Sequence, residues 1–306
     1  MSKVAYIFPG QGSQYVGMGK DLFSEFPAAK EVFQKADATL GFSLSKICFE
    51  GPEEELKKTK NTQPAIFLHS LAVWKILDPK DAAMVAGHSL GEYSALVAAG
   101  ALTFEDALKL VRLRGELMQK AGEENPGTMA AIVGLDAQVV GEVCCTAWKE
   151  GIVQAANFNS PGQIVISGSV SGVRKGMELA KERGAKLVKE LVVSGAFHSP
   201  LMQSAKDGLK AALDKVEIRD AKIPVYANVT AKPVQEANEI RTLLFEQVTS
   251  PVRWHETIMN MAADGATSFI EVGPGKVLQG LVKRIAPTVS VSGFDTAASI
   301  FVAAKA

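Results

Sequence analysis

From Val4 to about Gly122, short apolar runs alternate with longer stretches in which apolar residues recur every three or four positions. Val4–Phe8 (VAYIF) and Ala82–Ala86 (AAMVA) carry no charged residue, the mark of strands covered on both faces. The first runs into Pro9-Gly-Gln-Gly-Ser13, a loop composition. The second runs into Gly87 and then a helical stretch around Glu92–Val97. Strand, tight turn and helix in that order make the unit of a parallel, doubly wound sheet.

After Asn125-Pro-Gly127 the pattern changes. Strands are predicted at Thr128–Leu135, Ile152–Asn157, Gln163–Ser167 and Lys186–Val193, with helices at Ala137–Lys149 and Val170–Arg183 and a turn at Ser160-Pro-Gly162. That order, β-α-β-β-α-β, is the ferredoxin-like unit. Buried-type strands resume at Ile223–Asn228 and Thr267–Val272, the latter ending in Gly273-Pro-Gly275. The expected organisation is therefore a large α/β domain with a mostly parallel sheet, residues 1–124 and 196–306, carrying a small ferredoxin-like α+β subdomain, residues 125–195. The weakly patterned tail after Phe294 is expected to fray.

Composition narrows the function classes. The 306 residues are 47% hydrophobic and 22% charged, enough for a large core. Lys+Arg 33 balances Asp+Glu 33, so no global field recruits nucleic acid or an anionic membrane. No apolar run is long enough to span a bilayer, and the start MSKVAYIFPG does not read as a signal peptide. Cys48, Cys144 and Cys145 fit a reduced, cytoplasmic chain and have no metal-ligand spacing. There is no P-loop, and no dinucleotide fingerprint in a strand–helix context.

Candidate chemistry begins at Gly87-His-Ser-Leu-Gly91, which fits G-x-S-x-G with a buried strand before it and a helix after it. In such an elbow Ser89 is presented at the sheet's edge, with helix N-terminal amides able to face an oxyanion. The same string also fits a Gly-flanked turn with Ser as N-cap. Of the four histidines, His69 lies inside an apolar helical run, His255 reads as surface, and His88 diverges from its neighbour in an elbow. His198 lies in a loop at a strand's end, just before Ser199-Pro200, an N-cap and first-turn proline, which suits a base. On the helix predicted over Thr103–Ala121, Arg114 falls on the apolar face of Ala107, Leu110, Val111, Leu117 and Met118. A guanidinium placed there either snorkels, pairs internally, or awaits an anionic ligand. Glycines on both sides of Gln11 let its backbone amide approach a ligand closely.

Together these motifs resemble the malonyl-CoA:acyl carrier protein transacylases of type II fatty-acid synthesis, and are similar to polyketide synthase acyltransferase domains. The resemblance runs over essentially the whole chain. It is carried by FPGQGSQ at 8–14, TQPAIF at 62–67, GHSLGEYSAL at 87–96, RGELMQ at 114–119, NSPGQIVISG at 159–168, GAFHSPLM at 195–202, Gln247 with SPVRW at 250–254, and EVGPGKVL at 271–278. It implies a hydrolase-like core with a ferredoxin-like subdomain, Ser89 as nucleophile and His198 as general base. It implies oxyanion amides from Gln11 and Leu90, and Gln247 orienting the histidine through its backbone carbonyl. Arg114 would hold the malonyl carboxylate, with Met118 lining the pocket and Phe197 crowding a branched substituent. The implied reaction moves malonyl from malonyl-CoA to holo-acyl carrier protein through a malonyl-serine, with no permanent cofactor or metal. The expected partners are the carrier protein and malonyl-CoA, with no nucleic acid or membrane, and the expected state is a monomer. A serine hydrolase fits the elbow, base and loop equally, and a non-catalytic carrier-protein binder is a third reading. Arg174, Lys175, Lys181, Arg183, Lys186 and Lys189 form a basic cluster that could dock an acidic carrier or simply be solvated.

Overall fold

The computed structural model describes residues 3–303. Ten strands run in chain order: β1 Lys3–Phe8, β2 Ala82–Gly87, β3 Gly127–Val133, β4 Val153–Ser160, β5 Gln163–Ser169, β6 Leu187–Glu190, β7 Val225–Tyr226, β8 Pro233–Val234, β9 Ala266–Val272 and β10 Ser290–Phe294. Six of them form the larger sheet, in the order β10-β9-β1-β2-β7-β8. Every neighbour pair is parallel except β7 with β8 at one edge.

Strand β1 shows why the chain makes this sheet. Successive side chains point to opposite faces. Tyr6 and Phe8 enter the core built around the Thr59–Leu77 helix, while Ala5 and Ile7 enter a second core with Trp254, Ile258 and Val282. With both faces covered, no polar alternation survives in the sequence, as predicted for Val4–Phe8 and Ala82–Ala86.

The other four strands form an antiparallel sheet in the order β4-β5-β3-β6. The first and third strands of the β-α-β-β-α-β unit are thus central, and the ferredoxin-like expectation agrees with the pairing. Ala130 and Ile132 face the two helices Ala137–Ala147 and Val170–Glu182, whereas Met129 and Val165 belong to the main core. The small sheet therefore turns its second face toward the main core. Two bonds tie it there, Phe158 N–H to the Val252 carbonyl at 2.9 Å and Val252 N–H to that of Ala156 at 2.8 Å.

Several element bounds differ from the sequence reading. Strand β6 stops at Glu190, and Leu191 and Val193 turn instead into the cavity described below. The predicted strand at 223–228 pairs only at Val225–Tyr226, because Asn228 leaves the ladder for a different partner. The tail is not frayed through residue 303. Ala297–Ala303 is a helix whose first N–H bonds Asp21 Oδ2 at 2.7 Å, and Phe301 stacks on Phe26 with ring centroids 5.0 Å apart. The partners that tie it to the core, Asp21 and Phe26, lie nearly the whole chain away, so local composition carries no sign of them. Among the described residues, no helix is long and apolar enough to cross a membrane.

Candidate active site

The loops leaving the carboxyl ends of β1 and β2 meet the open face of the small sheet, where ligands bind in open α/β sheets. Between them lies a cavity of about 250 Å³. Pro9–Ser13, His88–Leu90, Arg114, Met118, Phe197 and His198 line it from the large-sheet side, and Met129, Asn159, Gln163 and Val165 from the small sheet.

Ser89 sits at the tip of a strand-to-helix elbow with φ 52°, left-handed backbone that a residue with a side chain adopts only under constraint. The flanking glycines permit it. A Cβ on Gly87 would lie 1.8 Å from the Gly91 carbonyl carbon, and one on Gly91 would lie 2.1 Å from the Phe8 carbonyl oxygen. The following helix begins at Gly91 with Leu90 as its cap residue, so Ser89 precedes the helix and is not its N-cap.

Ser89 Oγ lies 2.8 Å from His198 Nε2. His198, also in left-handed backbone at φ 56°, is 3% exposed. Ser199 holds its loop as predicted, capping the turn Pro200–Met202 by accepting from Leu201 N–H, and its hydroxyl donates to the Ala196 carbonyl at 2.6 Å. The Nδ1 of His198 is 3.0 Å from the carbonyl oxygen of Gln247 and 3.1 Å from that of Ser250. Carbonyls only accept, so Nδ1 carries the proton and Nε2 presents a lone pair to the Ser89 hydroxyl. Burial, followed by the nearby Arg114 charge, pushes the His198 pKa down to about 3 against the opposing pull of the two carbonyls. The ring is a neutral base across the physiological range.

Arg114 is 1% exposed and lines the cavity. Its helix, Phe104–Glu124, is fixed at its start by Thr103, whose hydroxyl accepts from Asp106 N–H. The guanidinium donates to Gln63 Oε1 at 2.7 Å, Gln247 Oε1 at 3.0 Å and Ser89 Oγ at 3.1 Å, while its Nε has no partner among the described residues. All these acceptors are neutral. Two residues away the contrast is plain: Arg112, on the wetter face, pairs with Glu116 at 2.6 Å. Burial lowers the Arg114 pKa, and Tyr93 and Glu92 oppose that shift.

The remaining predicted residues converge on the same place. Among the described residues, the backbone N–H groups of Gln11 and Leu90 donate to no other group of the chain, and both residues line the cavity. Met118 and Phe197, both buried, form part of its wall. His88 diverges from Ser89 and bonds Asn159 Oδ1 at 2.9 Å, His69 is fully buried far along another helix, and His255 is half-buried. Of the basic cluster, Arg174, Lys175, Lys181 and Arg183 lie on the Val170–Glu182 helix and its C-cap, on the outer side of the small sheet, whereas Lys189 shares the opposite face of the sheet with Ala131. Arg174, Lys175 and Arg183 are ion-paired with Glu190, Glu178 and Glu142. Among the described residues no group of three His, Cys, Asp or Glu side chains could hold a metal ion.

Sequence reasoning missed the Ser250 carbonyl, Gln63, Glu92 and Asn228. Glu92 is 3% exposed and accepts from Asn228 N–H and Gln247 Nε2, each at 2.9 Å. Burial raises its pKa to about 7 against those two bonds and the Arg114 charge. A charged residue in an otherwise apolar helix, at Glu92-Tyr-Ser-Ala-Leu, was the one available signal.

A serine hydroxyl on a neutral imidazole, two free amides beside it and a buried cation facing the same cavity make a site equipped for acyl transfer through a serine ester. The chain belongs to the acyl transferase domain family, whose model matches residues 5–300, and within it to the malonyl CoA-acyl carrier protein transacylases. The transacylase of Bacillus subtilis (strain 168) is 51% identical over 302 residues, covering 97% of this chain and 95% of the relative. An acyl carrier protein S-malonyltransferase from Vibrio cholerae superposes with a TM-score of 0.95 at 43% identity, over 99% of this chain and 100% of that one. A malonyl-transacylase solved in complex with its type II polyketide acyl-carrier protein gives 0.96 at 43% identity, over 99% of each chain.

Proposed function

We propose that this chain transfers malonyl from malonyl-CoA to the phosphopantetheine thiol of holo-acyl carrier protein, supplying malonyl-carrier for fatty-acid elongation. The single observation that carries the reading is Arg114, a buried guanidinium with only neutral hydrogen-bond acceptors, one of them the nucleophile's own oxygen. A cation so placed is costly unless an anion joins it. A carboxylate two bonds beyond a thioester carbonyl puts that anion on the guanidinium while the carbonyl meets Ser89.

Ser89 Oγ attacks the thioester carbon as His198 Nε2 takes its proton. The oxyanion forms toward the Leu90 and Gln11 amides, the carbon–sulfur bond breaks, and His198 returns the proton to the departing CoA thiolate. In the second half, His198 takes the proton of the carrier thiol, sulfur attacks the malonyl ester, and Ser89 leaves with the proton restored. Gln247 and Ser250 hold the imidazole through neutral carbonyls. An acidic partner is dispensable because a thioester is more reactive than an amide. Met118 shapes the acyl pocket, and Phe197 crowds the α-carbon, disfavouring a methyl branch by about 1–3 kcal/mol.

The reading extends to the rest of the molecule. Residues 1–124 and 196–306 form one domain and 125–195 the small one, supported by two sheets that share no strand. The enzyme works as a cytoplasmic monomer without a permanently bound cofactor. The relative solved with its carrier protein supports such a partner here. Lys181, Lys186 and Lys189, exposed and without an ion pair among the described residues, are the part of the basic cluster free to meet an acidic carrier.

Intact-protein mass after brief exposure to malonyl-CoA, repeated with holo-acyl carrier protein, tests the reading. A malonyl adduct mapping to Ser89, absent in Ser89→Ala and discharged onto the carrier, is the expected result. An adduct lost to water equally fast without carrier would make the protein a hydrolase, and no adduct would leave it a binder.

A further inference from the structure

Asn228 is wholly buried, 139 residues from Ser89 in sequence, and its side-chain oxygen and nitrogen and both its backbone groups are engaged. Its Oδ1 accepts the Ser89 N–H at 2.6 Å and its Nδ2 donates to the Gly87 carbonyl at 2.7 Å. Its own N–H donates to Glu92 Oε2 at 2.9 Å, and its carbonyl accepts from Arg253 N–H at 3.1 Å. An amide N–H can only donate and a carbonyl can only accept, so this orientation of the carboxamide is fixed by its neighbours. On the far side of the same residue, Gln247 Nε2 donates to the Ser89 carbonyl at 3.0 Å and to Glu92 Oε2 at 2.9 Å. Both backbone polar groups of Ser89 are therefore held by side chains from distant elements, and Glu92 holds those two elements to each other.

We propose that Asn228 is the positioning residue of the nucleophile: its carboxamide spans Gly87 and Ser89, holds Ser89 in left-handed backbone, and engages the Ser89 amide so that the Leu90 amide is the one left free for the oxyanion. The proposal rests on the acyl-transfer reading above. A side chain that supplied only one of the two bonds would leave the elbow free to relax toward ordinary backbone, moving Oγ away from His198 Nε2. Asp at this position keeps the size and the acceptor for Ser89 but sets a second oxygen against the Gly87 carbonyl.

The test is rapid-quench mass measurement of malonyl–enzyme formation from malonyl-CoA, reading rate, final amplitude and the concentration giving half-maximal rate separately. For Asn228→Ala the acylation rate constant is expected to fall about 100-fold, the loss a misplacement near 1 Å produces, with amplitude and half-maximal concentration close to wild type. Asn228→Asp should lose nearly as much. It decides the matter on the same three readings if the alanine variant does not fold. A wild-type rate in the variants would overturn the proposal. So would reduced amplitude at a wild-type rate, the sign of a purely structural role, or a change confined to the half-maximal concentration. Failure of the wild-type enzyme to form any adduct would instead sink the acyl-transfer reading itself.

Discussion

Two buried histidines in this molecule have opposite surroundings. His198 faces a serine on one side and two neutral carbonyls on the other. His69, fully buried in the Thr59–Leu77 helix, has its Nε2 3.2 Å from Asp295 Oδ1, an ion-pair distance without hydrogen-bond alignment. Asp295 also accepts from the Tyr15 hydroxyl at 2.9 Å and the Gly275 N–H at 3.0 Å. Burial raises the Asp295 carboxyl, but His69, Gly275 and Tyr15 together outweigh it and lower its pKa. The histidine–carboxylate pair, which a search for a serine-hydrolase triad would single out, is thus placed where it fastens the C-terminal segment to the core. His198 has no acidic partner among the described residues. A carboxylate beside His198 would also sit near Arg114 and compete for the cation to which the proposed reading assigns the malonyl carboxylate. Access to the cavity, and not the presence of a carboxylate, separates the two sites.

Removing each ring in turn separates the two sites most strongly. His198→Ala should lower malonyl–enzyme formation by about 10²–10⁴-fold. His69→Gln should leave the rate per folded molecule unchanged and lower the thermal midpoint. Stopped or quenched single-turnover kinetics beside calorimetry read both, and a rate loss in His69→Gln would end the assignment. Next in size is the cation. Arg114→Ala should reduce malonyl transfer by about 100-fold, the loss of a charge-assisted bidentate contact, while sparing or raising acetyl transfer. Equal loss of both acyl groups in steady-state assays would show that Arg114 serves the fold or the nucleophile only.

The pH profile sharpens the contrast further. With its pKa pushed down to about 3, His198 takes up no proton in the native state as pH falls through about 6.5, the ordinary imidazole value, whereas the unfolded chain does. The acid limb of kcat/KM should therefore lie well below that value. The stability this ring contributes is whole above about 6.5 and is lost progressively as pH falls toward the native value. A kcat/KM inflection centred near 6.5 would contradict the buried, neutral base. The smallest effect on activity is expected at the other site. Asp295→Asn should cost about 1 kcal/mol of stability in denaturant titrations, since it weakens a partly buried charged acceptor, with malonyl transfer unaltered.

Much of this was legible in the chain itself. Residues that make one local demand announce it locally. Gly87 and Gly91 around a serine mark a turn only glycine can flank, Ser199-Pro200 marks a helix start, and Arg114 stands out because a 3.6-residue period puts it among leucines and valines. The β-α-β-β-α-β order likewise predicted the antiparallel sheet from strand lengths and turns alone. Edge strand β10, SVSGF, carried too little apolar signal to be read, and the tail helix is held by Asp21 and Phe26, nearly the whole chain away.

What tertiary structure alone decided is the set of groups with no side-chain signature or with partners far off in sequence. The Ser250 carbonyl that shares the His198 proton is backbone, identical in every residue type. Asn228 and Glu92 are unremarkable in sequence until the fold brings one against Gly87 and Ser89 and places the other between Asn228 and Gln247. Which residues could do chemistry was readable from their types and local periods. Which hydrogen bonds leave the serine, the imidazole and the guanidinium facing one cavity was decided in three dimensions, because a buried polar group takes its state from whatever the folded chain sets beside it.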